Sequence, residues 1–376
     1  MRGIGGRLLV LALALAAVGG APAAQAGDGP HTPALEFRGQ AILPTGFGFA
    51  GTQVGGLSGI VYDEARGVYY SLSDDPSQFG PARYYTLAVD VADGRLDAGD
   101  VTFRRVTTLL APNGAPYPPF GLDPEGIAYS PRDDELVITS EGFANTLVPP
   151  FVRRYSLDGV SLGDVALPDA FIPDAAHTRG VRQNLAFESA AVTPNGRSLF
   201  TATEGALVQD GPPATVGAGS PARILRYDER TGRLERQYVY VTDPIAEPPV
   251  PATAFAVNGL VDLLPLNDEF LLAMERSFSV GAPDTGNTIK LYAVKLAGAD
   301  DVSGVDALAG SLGGIRPVEK RLLLDLDALG IPLDNVEGMT FGPDLPDGRR
   351  SLLLVSDNNF SPAAFTQFLL FAVSPG

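Results

Sequence analysis

The chain of 376 residues carries 44 Asp and Glu residues against 27 Lys and Arg residues, which gives a formal net charge of −17 at pH 7. Nucleic acids and anionic membranes need a positive protein surface, so this balance argues against both as main partners and suits the chain to binding cations. The absence of Cys excludes disulfides, thiol catalysis and thiolate metal sites.

The first 26 residues have the pattern of a secretory signal peptide. Basic residues precede an apolar segment at 8–18, and the small residues Ala24 and Ala26 flank Gln25. We expect cleavage after Ala26, a polar spacer at 27–34 and a single domain at 35–376, secreted or periplasmic. A buried N-terminal helix is less favoured because no capping residues flank the segment. No second apolar run is long enough to span a membrane.

Residues 35–43 alternate between apolar and polar side chains and predict a strand that has no hairpin partner of its own. Five similar units follow, each predicting four short strands except the last, which supplies three. In every unit a polar residue stands at the start of the first strand and an acidic residue at the end of the second. The first positions are Ser58, Glu125, Glu188, Asn258 and Glu337, and the second positions are Asp74, Glu141, Glu204, Glu275 and Asp357.

This repeat predicts an all-β fold, a β-propeller with four-stranded blades. The second position follows the first by 16 residues in the first three units, as from 58 to 74. The repeat count gives five blades, or six if residues 297–318 contain further strands. The strand at 35–43 would complete the last blade and close the ring, which leaves no exposed sheet edge. A β-sandwich is the alternative, but it does not predict a fixed spacing.

The loops differ between the two faces of the predicted propeller. Connections between first and second strands are short, whereas the other connections are long and rich in Gly and Pro. We expect the binding site on the face with the long loops. Residues 297–318 are the exception, and their composition predicts a mobile loop on the opposite, plain face.

In a propeller of this kind, both sets of repeated residues surround the mouth of the central channel. Eight of the ten are Asp or Glu, and so many carboxylates repel one another unless protons or a cation offset the charge. Oxygen ligands without thiols favour a hard cation, for which we expect calcium. The predicted metal ligands are Glu125, Glu188, Glu337, Asn258 and Asp74. The alternative is that these acids accept hydrogen bonds from loop amides or pair with Arg.

The remaining acids of the second set, with their neighbours, supply candidates for catalysis. One of Glu141, Glu204, Glu275 and Asp357 could act as a general base, and Arg276 directly follows Glu275. The loop before Glu188 holds candidate substrate-binding residues, which are Arg179, Arg182 and Asn184. These Arg residues could hold a phosphate or carboxylate oxygen, or could neutralise neighbouring acids. A serine hydrolase mechanism through His177 lacks the Gly-x-Ser-x-Gly motif that would supply its nucleophile.

The motifs themselves resemble a known family. Asp-Pro-Glu-Gly-Ile-Ala-Tyr at 123–129, the segment at 184–197 and Asn-Val-Glu-Gly-Met-Thr-Phe at 335–341 resemble the bacterial phytase-like domain family, described as having esterase-like activity of phytase. This resemblance implies a secreted propeller with an enzymatic role. More distantly, the Glu-Gly pairs are similar to those of gluconolactonase and regucalcin propellers, which hold a central cation. Lys occurs only at 290, 295 and 320, which argues against phytate itself as the substrate.

These observations predict a secreted, calcium-dependent ester hydrolase that acts on a small molecule, with a phosphoester favoured over a carboxylic ester and a monomer expected. The alternatives are a lactonase-type hydrolase at the same cation site and a non-catalytic propeller that binds a ligand or a protein, since a fold does not imply an activity.

Overall fold

The structure is a computed structural model that describes residues 33–308 and 312–374. The predicted signal peptide and spacer residues 27–32 lie outside the described residues. Among the described residues, no helix is long and apolar enough to cross a membrane.

The described strands form five four-stranded antiparallel sheets, which are the blades of a propeller, and one small hairpin. The chain begins with β1 (Ala34–Pro44) and the hairpin strands β2 (Gly48–Phe49) and β3 (Thr52–Gln53). Blade 1 contains β4 (Leu57–Asp63), β5 (Val68–Ser73), β6 (Arg83–Val89) and β7 (Val101–Thr108). Blade 2 contains β8 (Pro124–Ser130), β9 (Glu135–Ser140), β10 (Phe151–Ser156) and β11 (Ser161–Val165). Blade 3 contains β12 (Phe187–Val192), β13 (Ser198–Thr203), β14 (Pro221–Asp228) and β15 (Leu234–Val241).

Blade 4 contains β16 (Ala256–Pro265), β17 (Phe270–Ser279), β18 (Asn287–Lys295) and β19 (Glu319–Asp325). Blade 5 contains β20 (Asn335–Asp344), β21 (Arg350–Asp357), β22 (Phe365–Ser374) and β1. The helical segments in the described residues are single 3-10 turns at Ala144–Thr146, Asp169–Phe171 and Leu326–Leu329.

Strand β1 closes the ring. It pairs antiparallel with β22 from Ala34 opposite Ser374 to Pro44 opposite Phe365, and so becomes the outermost strand of blade 5. The innermost strands β4, β8, β12, β16 and β20 contact one another in that order and return to β4. The predictions of five blades and of closure by the N-terminal strand are confirmed, and the six-bladed and sandwich alternatives are wrong.

The hydrophobic core is divided among the five interfaces between neighbouring blades. The second strand of each blade is an almost continuous apolar run, such as Leu136 to Ile138 in β9, because both of its faces pack against neighbouring blades. The outermost strands, such as β7, alternate instead between buried and exposed residues. Stability therefore comes from interfaces between sheets, in a chain without any disulfide.

The long connection between β18 and β19 differs from the prediction. Instead of forming a mobile loop on the plain face, its described residues pack against β15 of blade 3. The amide of Val318 donates to the carbonyl of Val239 over 2.9 Å, and the amide of Leu308 donates to the Asp210 carboxylate over 2.9 Å. Asp210 belongs to the long loop between β13 and β14, so this connection extends to the face with the long loops.

The innermost strands of blades 2 and 3 approach each other closely at Gly126. A Cβ atom at this position would lie 2.6 Å from the Ala190 amide nitrogen and 2.7 Å from the Glu188 carbonyl oxygen. Gly126→Ala is therefore expected to lower the free energy of unfolding by about 1–3 kcal/mol, because backbone of the next blade must move. Urea unfolding measures this. Gly217→Ala, where a Cβ meets nothing within 4 Å, is the control and should leave stability nearly unchanged.

Candidate active site

Each innermost strand carries a β-bulge near its start, on the face with the long loops. One extra residue interrupts the pairing with the second strand of the same blade. A bulge re-aims side chains at the edge of a sheet, and here it marks the same position in all five blades. The bulged residues are Ser58, Glu125, Glu188, Val261 and Glu337.

A second ring of residues stands beside the bulges, at the ends of the second strands. The amide of Glu141 donates to the carbonyl of Asp123 over 2.9 Å, and that of Glu204 donates to Ala186 over 2.6 Å. The equivalent bond in blade 1 runs from Asp74 to Gly56, and in blade 5 Asp357 pairs with Asn335. The backbone therefore holds the acids of blades 1, 2, 3 and 5 in equivalent places.

Blade 4 corrects the predicted ring. Leu260 pairs with Glu275 immediately before the bulge, as Phe187 pairs with Thr203 in blade 3. Glu275 is thus the equivalent of Thr203, and the next residue, Arg276, occupies the ring position. The prediction assigned the wrong residues because β16 begins five residues before its bulge, whereas β12 begins one residue before.

The side chains of Asn258 and Glu275 accordingly face away from the channel mouth. Glu275 accepts hydrogen bonds from the Tyr240 hydroxyl over 2.7 Å and from the Asn258 amide over 2.9 Å, and it forms an ion pair with Lys320. Its second oxygen also accepts from the Asp243 amide. Tyr240 lies in β15 and Asp243 follows it, whereas Asn258 and Lys320 belong to blade 4, so these bonds link blades 3 and 4 through Glu275.

Eight of the ten ring residues line a cavity of about 690 Å³, and the other two, Ser58 and Val261, do not. Nine of the predicted site residues line it, which are Asp74, Glu125, Glu141, Asn184, Glu188, Glu204, Arg276, Glu337 and Asp357. Four do not, which are Asn258, Glu275, Arg179 and Arg182. The structure therefore brings together most of the predicted acids but only one of the predicted Arg residues.

The two excluded Arg residues have structural partners. Arg179 is 3.2 Å from the carboxylate of Asp306. The guanidinium of Arg182 donates to the carbonyls of Ala206 and Gly211, over 3.2 and 2.6 Å, and so fastens the loop that follows β13. These contacts leave Arg276 as the only Lys or Arg among the described residues that line the cavity.

The carboxylates of the rings are hard to ionise together. Burial, and after it the charge of neighbouring carboxylates, raises the pKa of four of them well above the usual range, which are Asp74, Glu125, Glu141 and Glu188. Burial raises the pKa of Asp123 and of Glu204 to about 7, and burial together with Glu337 raises that of Asp357 to about 8. At neutral pH the ring therefore holds protons or a counter-charge.

Arg276 supplies part of that counter-charge. Its Nη2 donates to Glu337 Oε1 over 2.7 Å and lies 3.7 Å from Glu204 Oε1. Burial lowers the pKa of Arg276, but Glu337, Glu204 and Glu188 outweigh this effect and raise it above its usual value. One guanidinium cannot balance seven ring carboxylates, so the others need protons or a further cation.

Within the described residues, two groups of three acids are close enough to share a cation. The groups are Asp123, Glu125 and Glu141, and Glu141, Glu188 and Glu204, and within each the ligand atoms lie within 4.8 Å of one another. Oxygens that coordinate one Ca²⁺ at about 2.3–2.6 Å lie at most about 5 Å apart. Glu204 is 2% exposed and its buried Oε1 has no hydrogen-bond partner. The donor set and this oxygen, which accepts no hydrogen bond, fit a hard divalent cation.

The sequence profile of one family, described as Phytase-like: Esterase-like activity of phytase, matches residues 52–360. This chain belongs to the phytase-like family. The resemblance found in its motifs is thereby confirmed, and the match includes every ring position from Ser58 to Asp357. No protein with a curated description matches this member of the family.

Several solved structures are similar to this phytase-like chain at low identity. The catalytic domain of Coprinopsis cinerea GH62 α-L-arabinofuranosidase has 11% identity and a TM-score of 0.46, with 92% of this chain and 100% of that chain covered. The endo-arabinase of Bacteroides thetaiotaomicron has 12% identity and a TM-score of 0.40, with 91% and 97% covered. A putative 6-phosphogluconolactonase from Bacteroides uniformis has 13% identity and a TM-score of 0.34, with 82% and 80% covered. Similarity at this level says nothing about the reaction.

The site of this phytase-like chain also contains residues that sequence reasoning missed. Asp123 stands two residues before the bulged Glu125 and belongs to one of the acid groups. Asp334 and Asn335 line the cavity next to Glu337. The sequence does contain a signal for these three residues, because each stands two or three positions before the repeated Glu of its blade. Phe255 and Phe278 also line the cavity, but they have no counterpart in the repeat and gave no such signal.

Proposed function

We propose that this phytase-like protein is an exported hydrolase of phosphate esters that depends on a divalent cation, with calcium as the expected ion. The observation that carries the proposal is the pair of carboxylate groups that share Glu141 and stand at a cavity open to substrate. Membership of the phytase-like family supports the same class of reaction.

The residues that would hold the cation are those of the two acid groups. Asp123 and Glu125 would bind with Glu141 on one side, and Glu188 and Glu204 would bind with Glu141 on the other. A bound divalent cation would neutralise carboxylates, polarise the phosphoryl oxygen and lower the pKa of an attacking water. This would also supply the positive charge that the ring needs before it can accept an anionic substrate.

Arg276 and Asp357 have the chemistry for the remaining roles. Arg276 lies beside the acid groups and could donate hydrogen bonds to a phosphoryl oxygen. Asp357 lines the cavity, and its pKa, raised to about 8 by burial and Glu337, suits it to exchange protons near neutral pH. The water oxygen would bond to phosphorus while its proton moves to Asp357. The bond between phosphorus and the ester oxygen would break, and the departing alkoxide would take up a proton from solvent water, to which Asp357 would return its own proton.

The charge of the cavity favours a phosphoester over a lactone. A phosphoester is anionic and would use both the cation and Arg276, whereas a lactone is neutral and has no group that needs a guanidinium. Assays of purified protein on phosphoesters, lactones and carboxylic esters, with and without calcium, test this choice. Calcium-dependent hydrolysis of lactones alone would show that the protein is a lactonase and would overturn the proposal. Absence of hydrolysis of all three substrate classes would favour a non-catalytic binding protein.

Glu125→Gln is expected to lower turnover about a hundredfold while the fold is retained, because the amide removes one charged ligand oxygen from the first acid group. Calcium-dependent hydrolysis and circular dichroism measure the two parts of this expectation. Glu269→Gln, the same exchange at an exposed position between β16 and β17, is the control and should keep full turnover. Unchanged turnover in Glu125→Gln would remove Glu125 from the mechanism.

A further inference from the structure

The sector of the cavity formed by blade 4 is unlike the rest. Its bulged residue is Val261 and its ring residue is Arg276, so neither ring position in this blade holds a carboxylate. In blades 2, 3 and 5 both positions are acidic, and in blade 1 one of the two is Asp74. A ligand in the channel mouth therefore meets carboxyl groups on most sides and a guanidinium on one side.

An apolar wall continues this sector toward solvent. Val257 and Phe278 pair across β16 and β17 above Arg276, and both line the cavity. Phe255, just before β16, lies farther out, with its ring centroid 6.2 Å from that of Phe278. It is 64% exposed, although it has a large apolar side chain. From the channel outward, the sector thus presents the guanidinium of Arg276 and then the two aromatic rings.

Two buried polar atoms in this sector have no hydrogen-bond partner. They are Nε of Arg276 and Oδ1 of Asn287, and both residues line the cavity. Buried polar groups without partners are costly, so such atoms at a cavity indicate groups that a bound molecule satisfies. Arg276 itself is 13% exposed, with Nη2 already on Glu337. Its Nε has no partner among the described residues, and the exposed part of the guanidinium can donate to a ligand oxygen.

We infer that Arg276, Phe278 and Phe255 form a subsite for a phosphate ester of an aromatic or similarly flat apolar alcohol. The inference rests on the proposed function, which places a cation on the carboxylate side. Arg276 would hold a phosphoryl oxygen, and the apolar group would lie against the two Phe rings and remove them from water. The subsite disfavours polyphosphorylated polyols, because a single guanidinium lines the cavity and a polyol gains nothing from an aromatic wall.

Binding of two phosphonates that cannot be hydrolysed tests the inference without any turnover. Isothermal titration of calcium-loaded full-length protein should show that phenylphosphonate binds about tenfold or more tightly than methylphosphonate, since only the first buries an apolar ring. Phe278→Ala should reduce this ratio to about threefold or less and leave methylphosphonate binding unchanged. Phe255→Ala should act in the same direction and keep the fold, because this side chain is mostly exposed.

Two further variants make the result specific. Arg276→Gln should weaken both phosphonates by about tenfold or more while the ratio between them persists, because it removes a charged donor. Phe120→Ala is the matched control, since Phe120 is an exposed aromatic residue on the same face that does not line the cavity. It should change neither affinity.

The outcomes separate this inference from the proposed function. A ratio near one in the unmodified protein, absence of binding, or an unchanged ratio in both Phe278→Ala and Phe255→Ala would overturn the subsite. Hydrolysis of phosphoesters together with equal affinities for the two phosphonates would support the proposed function and overturn the subsite. The expected ratios without hydrolysis of any phosphoester would support the subsite and overturn the proposed function.

Discussion

Glu141→Gln is expected to abolish the thermal stabilisation of the protein by calcium. Glu141 belongs to both acid groups, so its loss weakens every candidate cation position at once. A ligand present at about 100 times its Kd stabilises the native state by about 2.7 kcal/mol, which corresponds to a rise of roughly 3–5 °C in the Tm of a domain of this size. The unmodified protein, stripped by a chelator and titrated with calcium, should show this rise, and the variant should not.

The same exchange should raise the Tm of the cation-free protein. Burial and the charge of Glu204 raise the pKa of Glu141, so an uncharged side chain relieves repulsion. The Gln oxygen can still accept the hydrogen bond that the Ala186 amide donates to Glu141, so the fold should be kept. Glu319→Gln is the control, because this Glu is 79% exposed on an outer strand.

Differential scanning calorimetry with calcium, and with magnesium for comparison, measures both effects. A variant that responds to calcium as the unmodified protein does would show that Glu141 holds no cation. An unmodified protein that does not respond would show that protons and Arg276 alone balance the ring.

The fold could be predicted because its repeat is local. Each blade consists of strands close in sequence, so an apolar run such as 136–138 and the turns beside it predict one sheet at a time. Closure by β1 followed from counting, since the last unit had one strand too few. The course of residues 297–318 could not be predicted in this way, because it depends on contacts with β15 and Asp210, far away in sequence.

The site could be predicted only in part, for a related reason. Repeated positions placed Glu125, Glu141 and Glu188 at the channel mouth, since equivalent residues of equivalent blades lie on one ring. In blade 4, however, the ring position depends on where the bulge falls, and a bulge at Val261 is a property of strand pairing. The prediction therefore assigned Glu275 where the structure has Arg276, and an acid was expected at the one sector that carries a positive charge.

The grouping of the acids also lies beyond sequence reasoning. A ring of acidic positions indicates a cation, but it does not show which side chains approach within one coordination sphere. Asp123 joins Glu125 and Glu141, whereas Glu337 is engaged by Arg276. These choices depend on side-chain directions at the bulges, which differ between blades with the same motif.

The cation-free protein is expected to lose stability as the pH rises from about 5 to about 8. The pKa is raised to about 8 for Asp357, by burial and Glu337, and to about 7 for Asp123 and Glu204, by burial. In the unfolded chain such acids have a pKa of about 4. Between these values the folded state binds more protons than the unfolded state, so the free energy of unfolding falls as the pH rises. The Tm should drop by about 5 °C or more.

Calcium should remove most of this loss at pH 8, because the cation replaces the protons as the partner of the carboxylates. The measurement is the Tm from pH 5 to 8 with chelator and with calcium, in about 0.5 M NaCl to screen repulsion between surface charges. Asp357→Asn removes one titrating group and should flatten the upper part of the cation-free profile. A cation-free Tm that is constant or rises over this range would mean that the ring acids are ionised in the folded protein, and that Arg276 and the loop amides stabilise them without protons.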